Sequence, residues 1–169
     1  MRRFNIKMKW PDVCADPSLQ DLPYKIELNA QGQIIMSPHK PIHSGFQGAI
    51  QRLLLAFKPD GYILPEVAVD TDDGTKTLDV AWVSTEAYER EIEKDAFGHA
   101  PEICIEVVSP TNTMAEMEHK KNLYLKRGAL EVWICQADGR MIFFDSTGQV
   151  EASRLCPEFP PRVSDRIKH

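Results

Sequence analysis

Between residues 24 and 155 the chain switches repeatedly between two hydrophobic rhythms, and each switch marks an element boundary. YKIELN and QIIMS alternate apolar and polar residues on either side of AQG, which predicts a β-hairpin. SPHKPIH, with two prolines, reads as a loop. From Ser44 to Lys58 the period lengthens, since Phe46, Ile50, Leu53, Leu54 and Phe57 recur at helical spacing and Pro59-Asp60-Gly61 closes the run. Strands are expected near Ile63–Val69 and Thr77–Val83, separated by the turn signal TDDGTK, and then a polar helix over Ser84–Phe97. Glu102–Val108 is a compact apolar strand bounded by Pro101 and Pro110. Thr113 and Glu116 form a capping box, each able to satisfy an orphan amide of a helix start. That helix should run to about Arg127 and stop at Gly128. LEVWICQ, RMIFFD and QVEASR follow as strands, with turns at Asp138-Gly139 and Thr147-Gly148.

This order predicts a mixed α/β (α+β) fold, a central sheet flanked by helices and preceded by an N-terminal β-hairpin. A helix joining the strands at 102–108 and 130–136 makes a crossover, so those two strands should pair in parallel. Residues 1–23 carry Pro11, Pro17 and Pro23 with little periodicity and read as an irregular arm. Residues 24–155 read as one domain and 156–169 as a C-terminal tail.

Composition narrows the class without naming it. The 169 residues are 43% hydrophobic and 27% charged, ordinary values for a globular protein. A net charge of -5 argues against binding nucleic acid by bulk charge, although an acidic metal site carries negative charge until its ion arrives. Basic residues cluster at Arg2, Arg3, Lys7 and Lys9 and again at Lys120, Lys121, Lys126 and Arg127; each cluster reads as a solvated surface or a phosphate-contacting patch. Cys14, Cys104, Cys135 and Cys156 form no C-x-x-C pair, so a structural zinc site is not expected. Cys104 and Cys135 lie in apolar runs and read as small buried hydrophobes, which fits a reducing, cytoplasmic setting. No apolar stretch follows the basic start, and no segment approaches the roughly 20 apolar residues of a membrane span.

Chemistry is suggested by carboxylates in unfavourable places. Glu106 interrupts ICIEVV, where alternation puts Ile103, Ile105 and Val107 on one face and Cys104, Glu106 and Val108 on the other. A carboxylate there must be paired, hydrogen-bonded or metal-bound, so an edge-strand residue, a buried ion pair and a metal ligand all remain open. Asp79 stands in a similar setting in TLDVAWV. Two carboxylates on neighbouring strands suit Mg²⁺ or Mn²⁺, hard ions that take oxygen ligands. On the helix after Glu106, Lys120 and Lys121 lie between Met117 and Tyr124, which mark a core-facing stripe. Periodicity puts Lys121 nearer the middle of that stripe. Glu27, with Ile26 and Leu28 on the opposite face, could add a ligand or position a water. His43 could contact phosphate, serve as an auxiliary base, or merely cap or pack. The acidic turn of Asp70, Asp72, Asp73 and Gly74 lacks the remaining ligands of a calcium loop and reads as a hairpin turn. A glycine-rich phosphate loop and a G-x-S-x-G elbow are both absent.

Taken in order, IELNAQGQIIMSP, HSGFQGAIQRLLLAF, LDVAWVS, PEICIEVVSP and KKNLYLKRGALEVW resemble the Uma-two restriction-endonuclease family, a branch of the PD-(D/E)XK nuclease superfamily common in bacteria. The resemblance spans about residues 24 to 145. It implies a restriction-endonuclease-like sheet, with Asp79 and Glu106 as the metal-binding carboxylates and Glu27 as the early glutamate. The superfamily's lysine two residues after that second carboxylate is here Val108, and the resemblance assigns the basic role to Lys120 rather than Lys121. Leu78 stands where the family pattern has proline. The implied activity is Mg²⁺- or Mn²⁺-dependent hydrolysis of DNA phosphodiesters, with DNA as partner and a homodimer as one way to cut both strands. Lys121 and His43 are then candidate nucleic-acid contacts. The readings set against it are a catalytically inactive nucleic-acid-binding or assembly module of the same fold, and a metal-dependent phosphohydrolase acting on small substrates.

Overall fold

The computed structural model of the protein describes residues 7–166; Arg2 and Arg3 of the first basic cluster, and His169, lie outside them. The hairpin forms as expected, from β1 (Tyr24–Leu28) and β2 (Ile34–Pro38), antiparallel with Glu27 opposite Ile35. Its turn is held by the Asn29 side chain, which accepts from the Gln31 and Gln33 amides at 3.0 and 2.9 Å. Gly32 has φ +73° there, and a Cβ would lie 2.8 Å from the Met8 backbone, so both conformation and space call for glycine.

Helix α2 spans Pro41–Phe57, beginning three residues before Ser44. A proline at the first helical position loses no hydrogen bond, because that amide has no partner anyway. His43, expected in a loop, therefore sits in the first turn of α2. Strands β3 (Tyr62–Thr71) and β4 (Gly74–Val83) form a long hairpin around a tight turn at Asp72 and Asp73. In that turn Asp73 accepts from the Ala30 amide at 3.0 Å and pairs with Lys76 and His119.

Helix α3 covers only Thr85–Glu91, short of the expected Phe97. Tertiary pairing overrides its helical pattern: the Phe97 amide donates to Ala68 at 2.8 Å and its carbonyl accepts from Asp70 at 2.9 Å, so the segment runs alongside β3. Strand β5 (Ile103–Val107) and helix α4 (Met114–Lys126) follow, and the capping box is present, with Thr113 Oγ accepting from the Glu116 amide at 3.1 Å and Glu116 from the Thr113 amide at 2.9 Å. Strands β6 (Glu131–Cys135), β7 (Met141–Asp145) and β8 (Gly148–Val150) complete the chain order; β8 stops short of Arg154 because that amide turns inward to Glu131.

The six-stranded sheet runs β3-β4-β5-β6-β7-β8, and the pair β5–β6, joined through α4, is parallel as the crossover requires. One face packs Phe46, Ile50 and Leu54 of α2 against Val80, Ile103, Ile105 and Trp133. The other packs Tyr124 of α4 against Leu78, Ala81, Cys104 and Val132. Residues 10–19, read as irregular, form a short helix α1 (Trp10–Ala15) and a 3₁₀ turn, Pro17–Leu19. Residues beyond 155, read as a tail, return to the core: Cys156, Phe159 and Val163 are buried, and the Phe159 ring lies 4.6 Å from that of Trp133. Among the described residues no helix is long and apolar enough to cross a membrane.

Candidate active site

The β1–β2 hairpin leans on β4, where Thr77 Oγ1 donates to the Ile26 carbonyl at 2.8 Å. Alternation along β1 then aims Lys25 and Glu27 at the sheet, over the point where β4 carries Asp79 and β5 carries Glu106. Asp79 is fully buried and Glu106 is 3% exposed. Asp79 lies at a break in the β3–β4 ladder. Pairing passes from Pro65 with Val80 to Val67 with Leu78, and between them Glu66 adopts φ +55°, the left-handed region that side chains other than glycine enter at a cost. Alternation breaks at the same level, since Leu78 joins the core cluster of Ala81 and Val83 while Val80 and Trp82 join the other. The register is the same on both sides, so the break adds no residue and leaves Glu66 and Asp79 unpaired at this level. Here the freed Asp79 carbonyl accepts from Gln47 Nε2 at 3.2 Å, and Gln47 also donates to Glu66 at 2.8 Å.

Two cations and two helices close around the carboxylates. Lys25 Nζ bridges them, 3.0 Å from Asp79 Oδ1 and 3.2 Å from Glu106 Oε2. Lys120 Nζ lies 2.8 Å from Glu27 Oε1 and 3.6 Å from Glu106 Oε1. Tyr124, one turn along α4 from Lys120 and wholly buried, donates its hydroxyl to Glu106 Oε1 at 2.7 Å. Asp79 Oδ2 accepts the Val107 amide at 2.7 Å and has His43 Nε2 at 3.3 Å. A cavity of about 30 Å³, room for a water or two, is lined by Lys25, His43, Asp79, Glu106 and Lys120.

The electrostatics separate the two buried carboxylates. Burial works against the charge of Asp79, but Lys25, His43 and the Val107 amide outweigh it and hold its carboxyl well below the usual range. Burial pushes Glu106 up, against the pull of Lys120 and Lys25, and the charges of Asp79 and Glu27 add to the rise. Glu27, also buried, is held low by Lys120, Lys25 and the Thr77 amide. Burial opposes the charge on Lys25, yet Asp79, Glu106 and Glu27 override it and raise its ammonium well above the ordinary value. His43 is raised by its hydrogen bond to Asp79, against burial. Three carboxylates thus face two ammoniums and the His43 imidazole.

Of the residues singled out in the sequence, Asp79, Glu106, Glu27, Lys120 and His43 come together. Lys121 does not. A step of one residue turns it about 100° around α4, where its ammonium pairs with Glu118 and sits 4.6 Å from the centre of the Phe144 ring. That sequestered ammonium is a poor phosphate contact. Lys126 likewise pairs with Asp72, so the later basic cluster forms no continuous patch. Lys25, Gln47 and Tyr124 were missed as site residues. Two signals pointed to them: Lys25 shares the face of Glu27 on β1, and Gln47 and Tyr124 stand four residues after His43 and Lys120.

A divalent ion fits this donor set by its chemistry. Asp79 Oδ1 and Glu106 Oε2 are hard, buried oxygens that already converge on one cationic nitrogen. Among the described residues no three His, Cys, Asp or Glu side chains are grouped to hold a metal. A divalent ion here would take its protein ligands from two carboxylates and keep several of its waters.

The family model Uma2, described as "Putative restriction endonuclease", matches residues 16–159. Among solved structures the fold resembles that of "a putative nuclease belonging to DUF820" from Anabaena variabilis ATCC 29413, with 16% identity and a TM-score of 0.64 over 94% of this chain and 85% of that one. A search of curated proteins gives no match.

Proposed function

We propose, from the premise that this chain belongs to the Uma2 family of restriction-endonuclease-like proteins, that it is a divalent-metal-dependent nuclease hydrolysing phosphodiester bonds in DNA. The observation that carries the reading is the meeting of Asp79 on β4, Glu106 on β5 and Lys120 on α4 in one buried centre, Lys120 being 3.6 Å from Glu106.

Asp79 and Glu106 would hold Mg²⁺ or Mn²⁺. Such an ion, when bound, lowers the pKa of a water and draws charge from a phosphoryl oxygen. The chain's own residues do the rest. The Val107 amide and His43 fix the Asp79 carboxylate, and Tyr124 fixes that of Glu106, so neither must reorganise during reaction. Lys120, anchored by Glu27, presents an ammonium beside Glu106, where it orients the attacking water or steadies charge developing on the phosphate. His43 lines the same cavity, which supports its reading as a phosphate contact.

One observation favours the reading of an inactive module, namely the Lys25 ammonium lying between the two carboxylates. Incubation of supercoiled plasmid with the protein and Mn²⁺, beside Asp79→Asn, separates the two. Nicking by the wild type that is lost in the variant is expected. Nicking equal in both would reject the site, and no nicking with any divalent ion would leave the inactive module.

A further inference from the structure

Nothing in the chemistry of a two-carboxylate metal seat calls for a lysine inside it, yet one is there. Lys25 Nζ lies closer to Asp79 and Glu106, at 3.0 and 3.2 Å, than Lys120 does to Glu106, at 3.6 Å. Its side chain is 10% exposed, and it bridges the two carboxylates that would hold a divalent ion. We propose that Lys25 is the resident cation of the seat: its ammonium holds Asp79 and Glu106 together while no divalent ion is bound, and it withdraws to admit one. The inference rests on the metal-dependent reading above and deepens it.

Three features support exchange rather than permanent occupation. Two buried carboxylates side by side repel each other, so the metal-free protein needs a cation at that point to fold around them. An ammonium meets this need without the strict coordination a metal demands. Lys25 also has somewhere to go, because Glu27 Oε1 already lies 3.9 Å from its nitrogen, so withdrawal leaves it beside a carboxylate. Finally, the Lys25 ammonium sits on a flexible four-carbon stem, so it can shift while Thr77 keeps β1 on β4 and the Asp79 and Glu106 strands keep their pairing. By contrast, Lys120 is tied to Glu27 at 2.8 Å, outside the span between Asp79 and Glu106, and it does not compete for the seat.

The consequence is that metal affinity is set against an internal competitor. If the ammonium fills the seat nine-tenths of the time, apparent affinity falls about tenfold below the intrinsic value. Titration calorimetry with Mn²⁺ on the wild type, Lys25→Met and Lys120→Met tests this, the last variant removing an equal charge nearby. The expected result is about tenfold tighter Mn²⁺ binding by Lys25→Met and a clearly smaller gain in Lys120→Met. Lys25→Met should also melt lower without metal and gain more from Mn²⁺ than the wild type does. If Lys25→Met folds only with Mn²⁺ present, that dependence is itself the expected behaviour.

A second readout needs no substitution. The nitrogen resonance of the Lys25 ammonium in the wild type should shift to that of a less tightly held group as Mg²⁺ saturates. Wild-type binding with equal or weaker binding by Lys25→Met, equal gains in both variants, or a Lys25 resonance unmoved at saturation would each overturn the exchange and leave the nuclease reading standing. Binding by Lys25→Met alone would support the exchange in its strongest form. No binding by any of the three proteins would overturn both.

Discussion

Lys120 and Lys121 are adjacent in sequence and make opposite predictions when each is replaced by methionine, which keeps the length and the apolar stem. Removing the Lys120 ammonium strips Glu27 of a partner at 2.8 Å and Glu106 of one at 3.6 Å, both in buried surroundings. Stranding one member of a buried ion pair typically costs about 3–5 kcal/mol. Here Glu27 keeps the Thr77 amide at 2.9 Å, and Glu106 keeps Tyr124 at 2.7 Å and Lys25 at 3.2 Å, so the loss is reduced. A destabilisation of about 2–3 kcal/mol is expected, equivalent to a fall of roughly 5–10 °C in Tm for a chain of this size. Lys121 pairs with Glu118, whose side chain is 57% exposed, and lies over the Phe144 ring, so its loss should cost about 1 kcal/mol or less. Function should separate them further. Losing a preorganised positive group at the developing charge lowers the cleavage rate by about a hundredfold, whereas Lys121→Met should cleave at close to the wild-type rate. Urea unfolding without metal gives the stability difference, and nicking of supercoiled plasmid in Mn²⁺ gives the rate. Equal destabilisation by the two variants, or a Lys121→Met protein that nicks as poorly as Lys120→Met, would refute the assignment.

Two further predictions concern residues away from the site. Glu131→Ala should destabilise the protein by about 3–5 kcal/mol in urea unfolding, because Trp133 Nε1, Ser153 Oγ and the Arg154 and Leu155 amides lose their acceptor at once; a change under about 1 kcal/mol would show that water replaces the carboxylate. Alkylation with iodoacetamide at pH 8 and peptide mass spectrometry should find Cys14, which is exposed, modified in the native protein. Cys135 should react only after unfolding, since burial pushes its thiol up to about 12 and leaves almost no thiolate at that pH.

Most of the scaffold was legible because its signals are local. The capping box at Thr113 and Glu116, the glycine after α4 and the alternating strands each follow from a few neighbouring residues, and each appears in the structure. The departures arise where distant chain decides. Helix α3 ends at Glu91 because residues around Phe97 find backbone partners on β3, and β8 ends at Val150 because later amides turn to Glu131. At the site, the apolar surroundings nominated the carboxylates and the family resemblance supplied Lys120, but which residue bridges Asp79 and Glu106 depends on how distant elements pack. Lys25 looks like an ordinary outward residue of an N-terminal hairpin until that hairpin is laid on β4. The break in pairing at Asp79 was equally hidden, because it goes with Glu66 taking a positive φ after Pro65, which no residue in the sequence requires.

The signal that nominated Glu106 also occurs at Glu131, and the comparison shows what it can and cannot tell. Both glutamates belong to otherwise apolar five-residue strands, both are 3% exposed, and their strands are parallel neighbours. They lie at opposite ends of that pair, Glu131 opposite Ile103 and Glu106 opposite Ile134. Glu131, at the amino end, accepts from Trp133 Nε1, Ser153 Oγ and the Arg154 and Leu155 amides at 2.6–3.0 Å, neutral donors fixed by the fold. Its oxygens are fully used, and the carboxylate pins the chain after β8 to the sheet. Glu106, near the carboxyl end where α/β sheets place their ligands, has one neutral donor, Tyr124, and otherwise faces two lysine ammoniums. An ammonium on a four-carbon stem can leave and be replaced by another cation, whereas a backbone amide or an indole nitrogen cannot. Burial of a carboxylate therefore says that something must neutralise it, and the mobility of its partners decides whether that something is structure or chemistry.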